Sequence, residues 1–458
     1  MLNIFLKVFS SNFIVLLLKL VTGFLFPKWM SMSEYASYQA FLLYISYIGI
    51  LHLGFPTGMY VNYAGIPYPQ IRKEHFKREI ELLLCILAFF SLTFAVVFYF
   101  TKTRLVFALG ICVIPYCFVT AFQSLYQAWG NFGLFSRINV FLSAFPIILT
   151  LMISAVSKSF LSSNYIVAFW ITYLITFVWI LLSIRKDIAI HSSERFVSKE
   201  NWNTLKLGFS ICIGNYINVL FHSVDKQFVA WIYGQQQFAE YSFGLSLQNL
   251  MMVFITSLAQ PMINFLAVGK INKKNYKYVK SLLLVFGSLS GLAYFACFFI
   301  VQNFLPKYLP SMQITRIYFW TFPSMAMINC IYINLYRWQK KTQRYITTLT
   351  EMLITAVALN ALLTVIRRTP LAITIATAVV YIIWLFQCSR DFQDFKMDFK
   401  DWLYLAAYTL LYIGGTSIKN VFVGATTYLI AAMLLVCTIH FDSIRWLLGG
   451  ICERNIKK

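Results

Sequence analysis

The sequence predicts an all-α polytopic membrane protein with about fourteen transmembrane helices. Of its 458 residues, 60% are hydrophobic and only 12% are charged, whereas soluble domains carry roughly a quarter charged residues. The charges also leave long gaps, with 37 uncharged residues between Glu34 and Arg72 and 32 between Arg104 and Arg137. Because about 20 apolar residues cross a bilayer as a helix, gaps of this length indicate membrane spans.

Apolar runs of about 17 to 25 residues place the individual helices along the chain. No small-residue cleavage site follows the first run, so we expect a retained helix there and not a signal peptide. The connectors are short, and the longest, at 185–206, leaves no room for a soluble catalytic domain. The predicted spans centre near residues 15, 48, 91, 117, 146, 174, 218, 250, 290, 325, 356, 379, 408 and 430.

The positions of the basic residues predict the orientation of these spans. The chain holds 38 Lys and Arg against 16 Asp and Glu, a net charge of +22. With the N-terminus inside, 27 cations lie in cytoplasmic segments and 8 in outer ones, which leaves Lys19, Lys226 and Arg316 within spans. Since Lys and Arg are retained on the cytoplasmic side, both termini are predicted to be cytoplasmic. The excess charge reflects topology and contact with anionic membrane lipids, and no nucleic-acid partner is expected.

The sequence lacks the motifs that bind common cofactors. Its nine cysteines form no C-x-x-C pair, its five histidines form no H-E-x-x-H pair, and no G-x-x-x-x-G-K-[ST] loop is present. We therefore expect no cofactor and no resident metal, and an ATP-driven pump within this chain is disfavoured.

Similar segments recur at an offset near 206 residues. Ser33–Ala36 reads SEYA and Ala239–Ser242 reads AEYS, and a proline follows at matching places, Pro56 with Pro261 and Pro115 with Pro323. Six spans in each copy give both copies the same orientation, which predicts two pseudo-symmetric six-helix lobes. The predicted domains are an N-terminal lobe at 1–190, a second lobe at 191–390, and a two-helix hairpin with a cytoplasmic tail at 391–458.

Two stretches carry a resemblance to a known family. Residues 20–65, with "SEYASYQAFLLYISYIGILHLGFPTG", and residues 207–245, with "NVLFHSVDKQFVAWIYGQQQFAEYSFGL", resemble the polysaccharide transporter (Wzx-type flippase) family of the MOP superfamily. Many relatives have glycine beside this tyrosine, whereas here its neighbours are Glu34 and Ala36 in the first copy and Glu240 and Ser242 in the second. This difference leaves the subfamily open. The resemblance implies a MATE-like, V-shaped pair of six-helix lobes around a central cavity.

The same resemblance implies a function in the bacterial cytoplasmic (inner) membrane. It implies a flippase, and no enzyme, that moves undecaprenyl-diphosphate-linked oligosaccharide repeat units from the inner to the outer leaflet by alternating access. The product would enter O-antigen or capsule synthesis, with a polysaccharide polymerase and a chain-length regulator as partners. Coupling to H⁺ or Na⁺ is likewise implied.

Polar and charged groups inside spans are the candidate site residues, because a charge there costs about 2.5 to 3.5 kcal/mol on insertion scales. Asp225 and Lys19 stand one repeat offset apart, so we expect them at matching depths in the two lobes. Polar residues at helical spacing on four spans predict a hydrated cavity. The cavity candidates are Asn12, Lys19, Thr22, Gln123, Gln127, Asn215, Asn218, His222, Asp225, Lys226, Gln260, Asn264 and Arg316.

Each of these candidates also has a purely structural interpretation. Lys19 and Arg316 could extend to the interface with no ligand, and His222 could form an interhelical hydrogen bond. The candidates for ion coupling are Asp225, His222 and Glu351, although Glu351 could instead pair with the basic cluster at 337–344.

Two other functions compete with the flippase. An ion-coupled multidrug antiporter of the same superfamily would require an acidic cavity for cationic drugs, whereas three cations and two carboxylates lie within these spans. A membrane polysaccharide polymerase or glycosyltransferase usually has a sizeable outer loop with catalytic residues, and the outer connectors here are short.

Overall fold

The computed structural model is almost entirely helical in its described part, residues 2–189, 198–267, 273–443 and 445. Within these ranges, eighteen α-helices follow one another through short connectors. They are α1 (Leu2–Trp29), α2 (Met32–Ile48), α3 (Phe55–Tyr63), α4 (Lys73–Thr101), α5 (Arg104–Ala128), α6 (Phe132–Ser157), α7 (Ser162–Ile188), α8 (Lys199–Ile232), α9 (Gln235–Ala267), α10 (Lys273–Ser290), α11 (Leu292–Phe304), α12 (Ser311–Trp320), α13 (Phe322–Met327), α14 (Ile333–Trp338), α15 (Thr342–Ile366), α16 (Pro370–Asp391), α17 (Phe399–Ser417) and α18 (Val421–Ile439).

The lengths and composition of the helices confirm a multi-pass, all-α membrane protein. In the described part of the chain, ten helical stretches are long and apolar enough to cross a membrane, or eleven if a bent pair at 32–63 counts as one span. A helix also lies at each of the fourteen span centres predicted from the sequence. The tenth centre falls in a stretch interrupted by a π-helical turn, Ile328–Tyr332, between α13 and α14.

Two glycines produce the bend of 63° between α2 and α3 and a close helix contact beside it. Gly54 has φ +76°, a left-handed conformation that costs glycine little, and Pro56 then fits the first turn of α3. A Cβ on Gly54 would lie 2.5 Å from the carbonyl oxygen of Gly208 on α8, and one on Gly208 would lie 2.1 Å from the Gly54 oxygen. Glycine at both positions therefore lets the two backbones touch.

The chain forms two compact units, 1–223 and 224–458, and their internal packing is similar. In the first unit, α5 packs against α2, α4 and α7; in the second, α13 and the π-helical turn pack against α9, α10 and α16. The thiol of Cys117 lies 3.4 Å from the Ile48 carbonyl oxygen, and that of Cys330 lies 3.5 Å from the Ile255 oxygen. The domain limits at 190 and 390 stay predictions.

Helices α17 and α18 form a hairpin that packs on the rest of the second unit through aromatic rings and polar contacts. Tyr404 donates to the Ser288 hydroxyl at 2.8 Å, and Tyr428 donates to the Ser288 carbonyl at 2.6 Å. At the start of the hairpin, the Nζ of Lys280, whose side chain is 2% exposed, lies 2.8 Å from Asp398 and 2.5 Å from Asp401. A buried cation between two carboxylates thus joins α10 to α17.

Candidate functional site

Asp225 on α8 is a buried carboxylate that two tyrosines hold from two other helices. It is 3% exposed. Its Oδ2 accepts a hydrogen bond from the Tyr241 hydroxyl of α9 at 2.8 Å and a second one from the Tyr318 hydroxyl of α12. The two hydroxyls lie 2.6 Å apart, and Oδ1 accepts from the backbone N–H of Lys226 at 2.7 Å. We call these three side chains the Asp225 cluster.

The local sequence explains how the Asp225 cluster forms. Helix α8 ends at Ile232 and α9 begins at Gln235, so Tyr241 follows Asp225 across a short connector and its hydroxyl reaches the carboxylate. Hydrogen bonds from two hydroxyls and one amide offset part of the cost of burying a carboxylate. Lys226 is 9% exposed, and its Nζ lies 5.8 Å from the centre of the Phe238 ring, within range of a cation–π contact.

The arrangement suits a small monovalent ligand. One carboxylate with two hydroxyls can accept a proton, or offer oxygen atoms to a cation, without a second acidic group. In the part of the chain that the structure describes, no three His, Cys, Asp or Glu side chains come together in a way that could hold a metal ion. Because three helices meet at this carboxylate, a change in its charge acts on all three.

Most other predicted cavity residues belong to the first unit. Lys19, Asn215 and His222 are exposed there, and Thr22, Gln123, Gln127 and Asn218 are half-buried. Asp225 and Lys226 belong to the second unit. The expectation that Lys19 and Asp225 lie at matching depths in the two lobes therefore stays a prediction. The side chains of Asn12, Gln260 and Asn264, also predicted to line the cavity, lie outside the described part of the structure.

Arg316 and Glu351 contact neighbouring helices. The Arg316 guanidinium donates to the Ile413 carbonyl oxygen and to the Ser417 hydroxyl of α17, both at 2.9 Å. Glu351 accepts from the Gln387 amide and lies 3.7 Å from Arg344. The pairing of Glu351 with the basic cluster at 337–344 is therefore seen. A substrate role for Arg316 and a coupling role for Glu351 stay predictions.

Sequence reasoning missed several residues of the buried polar network. The sequence analysis includes Tyr241 only as part of the repeated Glu-Tyr pair. Nothing in the sequence distinguishes Tyr318 from the other tyrosines, of which the chain has 28 in all. Glu79 was also missed. It is fully buried on α4, where it accepts from the Tyr63 hydroxyl at 2.5 Å and lies 3.4 Å from His75. The sequence around Glu79, KREIELLL, is typical of the charged end of a span, so it does not indicate a buried carboxylate.

A second polar group forms around Tyr68, which lies in the connector between α3 and α4. Tyr68 donates to the Asp187 carboxylate, and the Lys73 ammonium lies 3.2 Å from the centre of the Tyr68 ring and 3.4 Å from Asp187. Burial and the Asp187 carboxylate raise the pKa of Tyr68 well above its usual value. The phenol therefore remains a hydrogen-bond donor, and this group joins the start of α4 to the end of α7.

The fold and the Asp225 cluster define a multi-pass membrane protein with an ionisable group inside its second helical unit. No family model and no curated protein matches the sequence. Among solved structures, the chain is similar to "Lipid II flippase MurJ, inward closed conformation", with a TM-score of 0.66 and 14% identity, over 97% of this chain and 100% of that one. "Crystal structure of MATE in complex with Br-NRF" superposes with a TM-score of 0.36 and 11% identity, over 86% of this chain and 95% of that one. The first likeness shows a shared fold.

Proposed function

We propose that the protein is a flippase of the MOP superfamily that moves undecaprenyl-diphosphate-linked oligosaccharide repeat units from the inner to the outer leaflet for surface polysaccharide synthesis. The observation that carries this proposal is the fold, because the similarity to the lipid II flippase MurJ covers 97% of the chain. In this role it is a transporter and no enzyme. A polysaccharide polymerase and a chain-length regulator would act on its product.

The charges inside the spans support an anionic substrate. Lys19, Lys226 and Arg316 are the three cations that the sequence predicts inside spans, and a diphosphate is recognised by cations and hydrogen-bond donors. The sugars would contact the amides of the candidate cavity, Gln123 and Gln127 among them, while the lipid tail stays in the bilayer. The Asp225 cluster supplies the coupling site, where binding of H⁺ or Na⁺ changes the charge at the meeting of α8, α9 and α12.

Purified protein in proteoliposomes tests the proposal against its competitors. We expect it to move an undecaprenyl-diphosphate oligosaccharide between leaflets, measured by access of an external glycosidase to the glycan, with protein-free vesicles as the control. Ethidium should not be transported. Ethidium movement without lipid movement would establish the multidrug antiporter instead, and glycans that grow longer during the assay would establish the polymerase or glycosyltransferase.

We further propose that the protein lies in the bacterial inner membrane with both termini in the cytoplasm. Gln339 stands in the exposed connector between α14 and α15, and Lys419 stands in the one between α17 and α18. In a background with Cys85, Cys437 and Cys452 changed to serine, Gln339→Cys should react with a membrane-impermeant maleimide only after permeabilisation. Lys419→Cys should react in intact cells. The reverse pattern would invert the orientation.

A further inference from the structure

Two neighbouring apolar grooves run along α6 and share Arg137 and Phe141. The larger, about 730 Å³, lies between α1 and α6 and is lined by Ile14, Val140 and Phe145 among others. The smaller, about 340 Å³, lies between α6 and α7, with Trp179 in its wall. Arg137 lines both grooves. All of these residues belong to the unit formed by 1–223.

The larger groove is longer than the hydrocarbon part of one membrane leaflet. Its lining on α6 extends from Gly133 to Ile148, which corresponds to about 22 Å at 1.5 Å per residue. Half of a hydrocarbon core measures about 15 Å. The groove is therefore long enough to hold an acyl chain of a single leaflet.

The end of the grooves at Arg137 offers hydrogen-bond donors. Arg137 is exposed, and within 2–189, 198–267 and 273–443 no carboxylate pairs with its guanidinium. Ser136, next to it, is 8% exposed, and its hydroxyl has no hydrogen-bond partner in the same ranges. The Ser11 hydroxyl of α1 donates to the Ser136 carbonyl oxygen at 3.2 Å and not to the Ser136 hydroxyl. A buried hydroxyl without a partner is uncommon and needs an acceptor.

We propose that Arg137 and the two grooves bind one anionic phospholipid of the surrounding bilayer. The phosphate accepts hydrogen bonds from the Arg137 guanidinium, and the two acyl chains lie in the two neighbouring grooves. A charged donor at the meeting of two apolar grooves fits a ligand with one anionic head and two tails. A single-chain polyprenyl lipid would leave one groove empty.

The predicted topology places this site in the cytoplasmic leaflet, where anionic lipids attract basic side chains. The bound lipid would contact α1, α6 and α7 and fill the gaps between them. This site is separate from the Asp225 cluster, which belongs to the other unit. The proposal holds whatever the protein transports.

Native mass spectrometry of delipidated, full-length protein titrated with phosphatidylglycerol tests the site. We expect one lipid to be retained on the native protein, and Arg137→Ala to weaken its binding about tenfold or more, the loss of one charge-assisted contact. Arg137→Lys should bind with intermediate affinity. Arg390→Ala removes an exposed arginine at the end of α16 and serves as the matched control. Equal binding by native protein and Arg137→Ala would overturn the proposal.

A second pair of variants tests the grooves themselves. Ala144→Trp fills the larger groove and should reduce retention of the lipid, whereas Val156→Trp adds the same ring to a position on α6 that is 86% exposed and should not. Inorganic phosphate should fail to displace phosphatidylglycerol, and displacement by phosphate alone would reduce the site to an anion site. Displacement by equimolar undecaprenyl diphosphate would assign the groove to the transport substrate and also overturn the proposal.

Discussion

Replacing Asp225 with asparagine should reduce transport to the level of protein-free vesicles while the protein remains folded. The asparagine oxygen can still accept hydrogen bonds from Tyr241 and Tyr318, so the three helices keep their contacts. The amide cannot ionise, however, and the charge change that the proposed coupling requires is lost. The measurement is glycosidase access in proteoliposomes, at matched protein level and with the melting temperature of each variant recorded.

Glu240→Gln provides the control for this variant. Glu240 lies one residue before Tyr241 and accepts from the Gln236 amide at 3.2 Å, a contact that glutamine can keep. We expect normal transport in Glu240→Gln. Asp225→Leu should instead lower the melting temperature. The two tyrosine hydroxyls can then bond only to each other, and the one left without an acceptor costs about 1 to 3 kcal/mol. Normal transport in Asp225→Asn would refute the coupling role of this carboxylate.

Replacing Lys280 with methionine should destabilise the second unit by about 3 to 5 kcal/mol, because it leaves buried negative charge without its partner. Asp401, 2.5 Å from the Lys280 ammonium, has a side chain that is only 4% exposed. The thermal unfolding of purified protein in detergent measures the effect. Lys307→Met, at an exposed lysine of the same unit, should change stability by less than about 0.5 kcal/mol.

A rescue experiment separates the charge from the packing. In the variant with Lys280→Met, Asp398→Asn and Asp401→Asn together, the buried charge is gone and most of the stability should return. The asparagine at 401 can still accept from the backbone N–H of residue 398, as Asp401 does at 2.7 Å. A melting temperature of Lys280→Met equal to that of Lys307→Met would show that the buried pair contributes nothing.

The sequence predicts the helices well, because apolar length and the absence of charge are local properties of the chain. Asp225 could be predicted for the same reason, since it is an isolated carboxylate inside an apolar run. Its partners could not, because Tyr318 follows it by 93 residues and only the packing of α12 brings the two together. The polar stripe of α8 predicts one face of a cavity. The boundary between the two compact units divides that helix between residues 223 and 224, and the cavity stays a prediction.

The way the α17–α18 hairpin is held has a thermodynamic consequence. Lipid offers a helix apolar contacts about as good as those of another helix, so hydrogen bonds and ion pairs carry more of the association than they do in water. The hydroxyls of Tyr404 and Tyr428 and the ammonium of Lys280 supply such contacts. Because little apolar surface leaves water when the hairpin docks, the heat-capacity change of docking is small. The attachment therefore does not loosen on cooling in the way that a hydrophobic interface does.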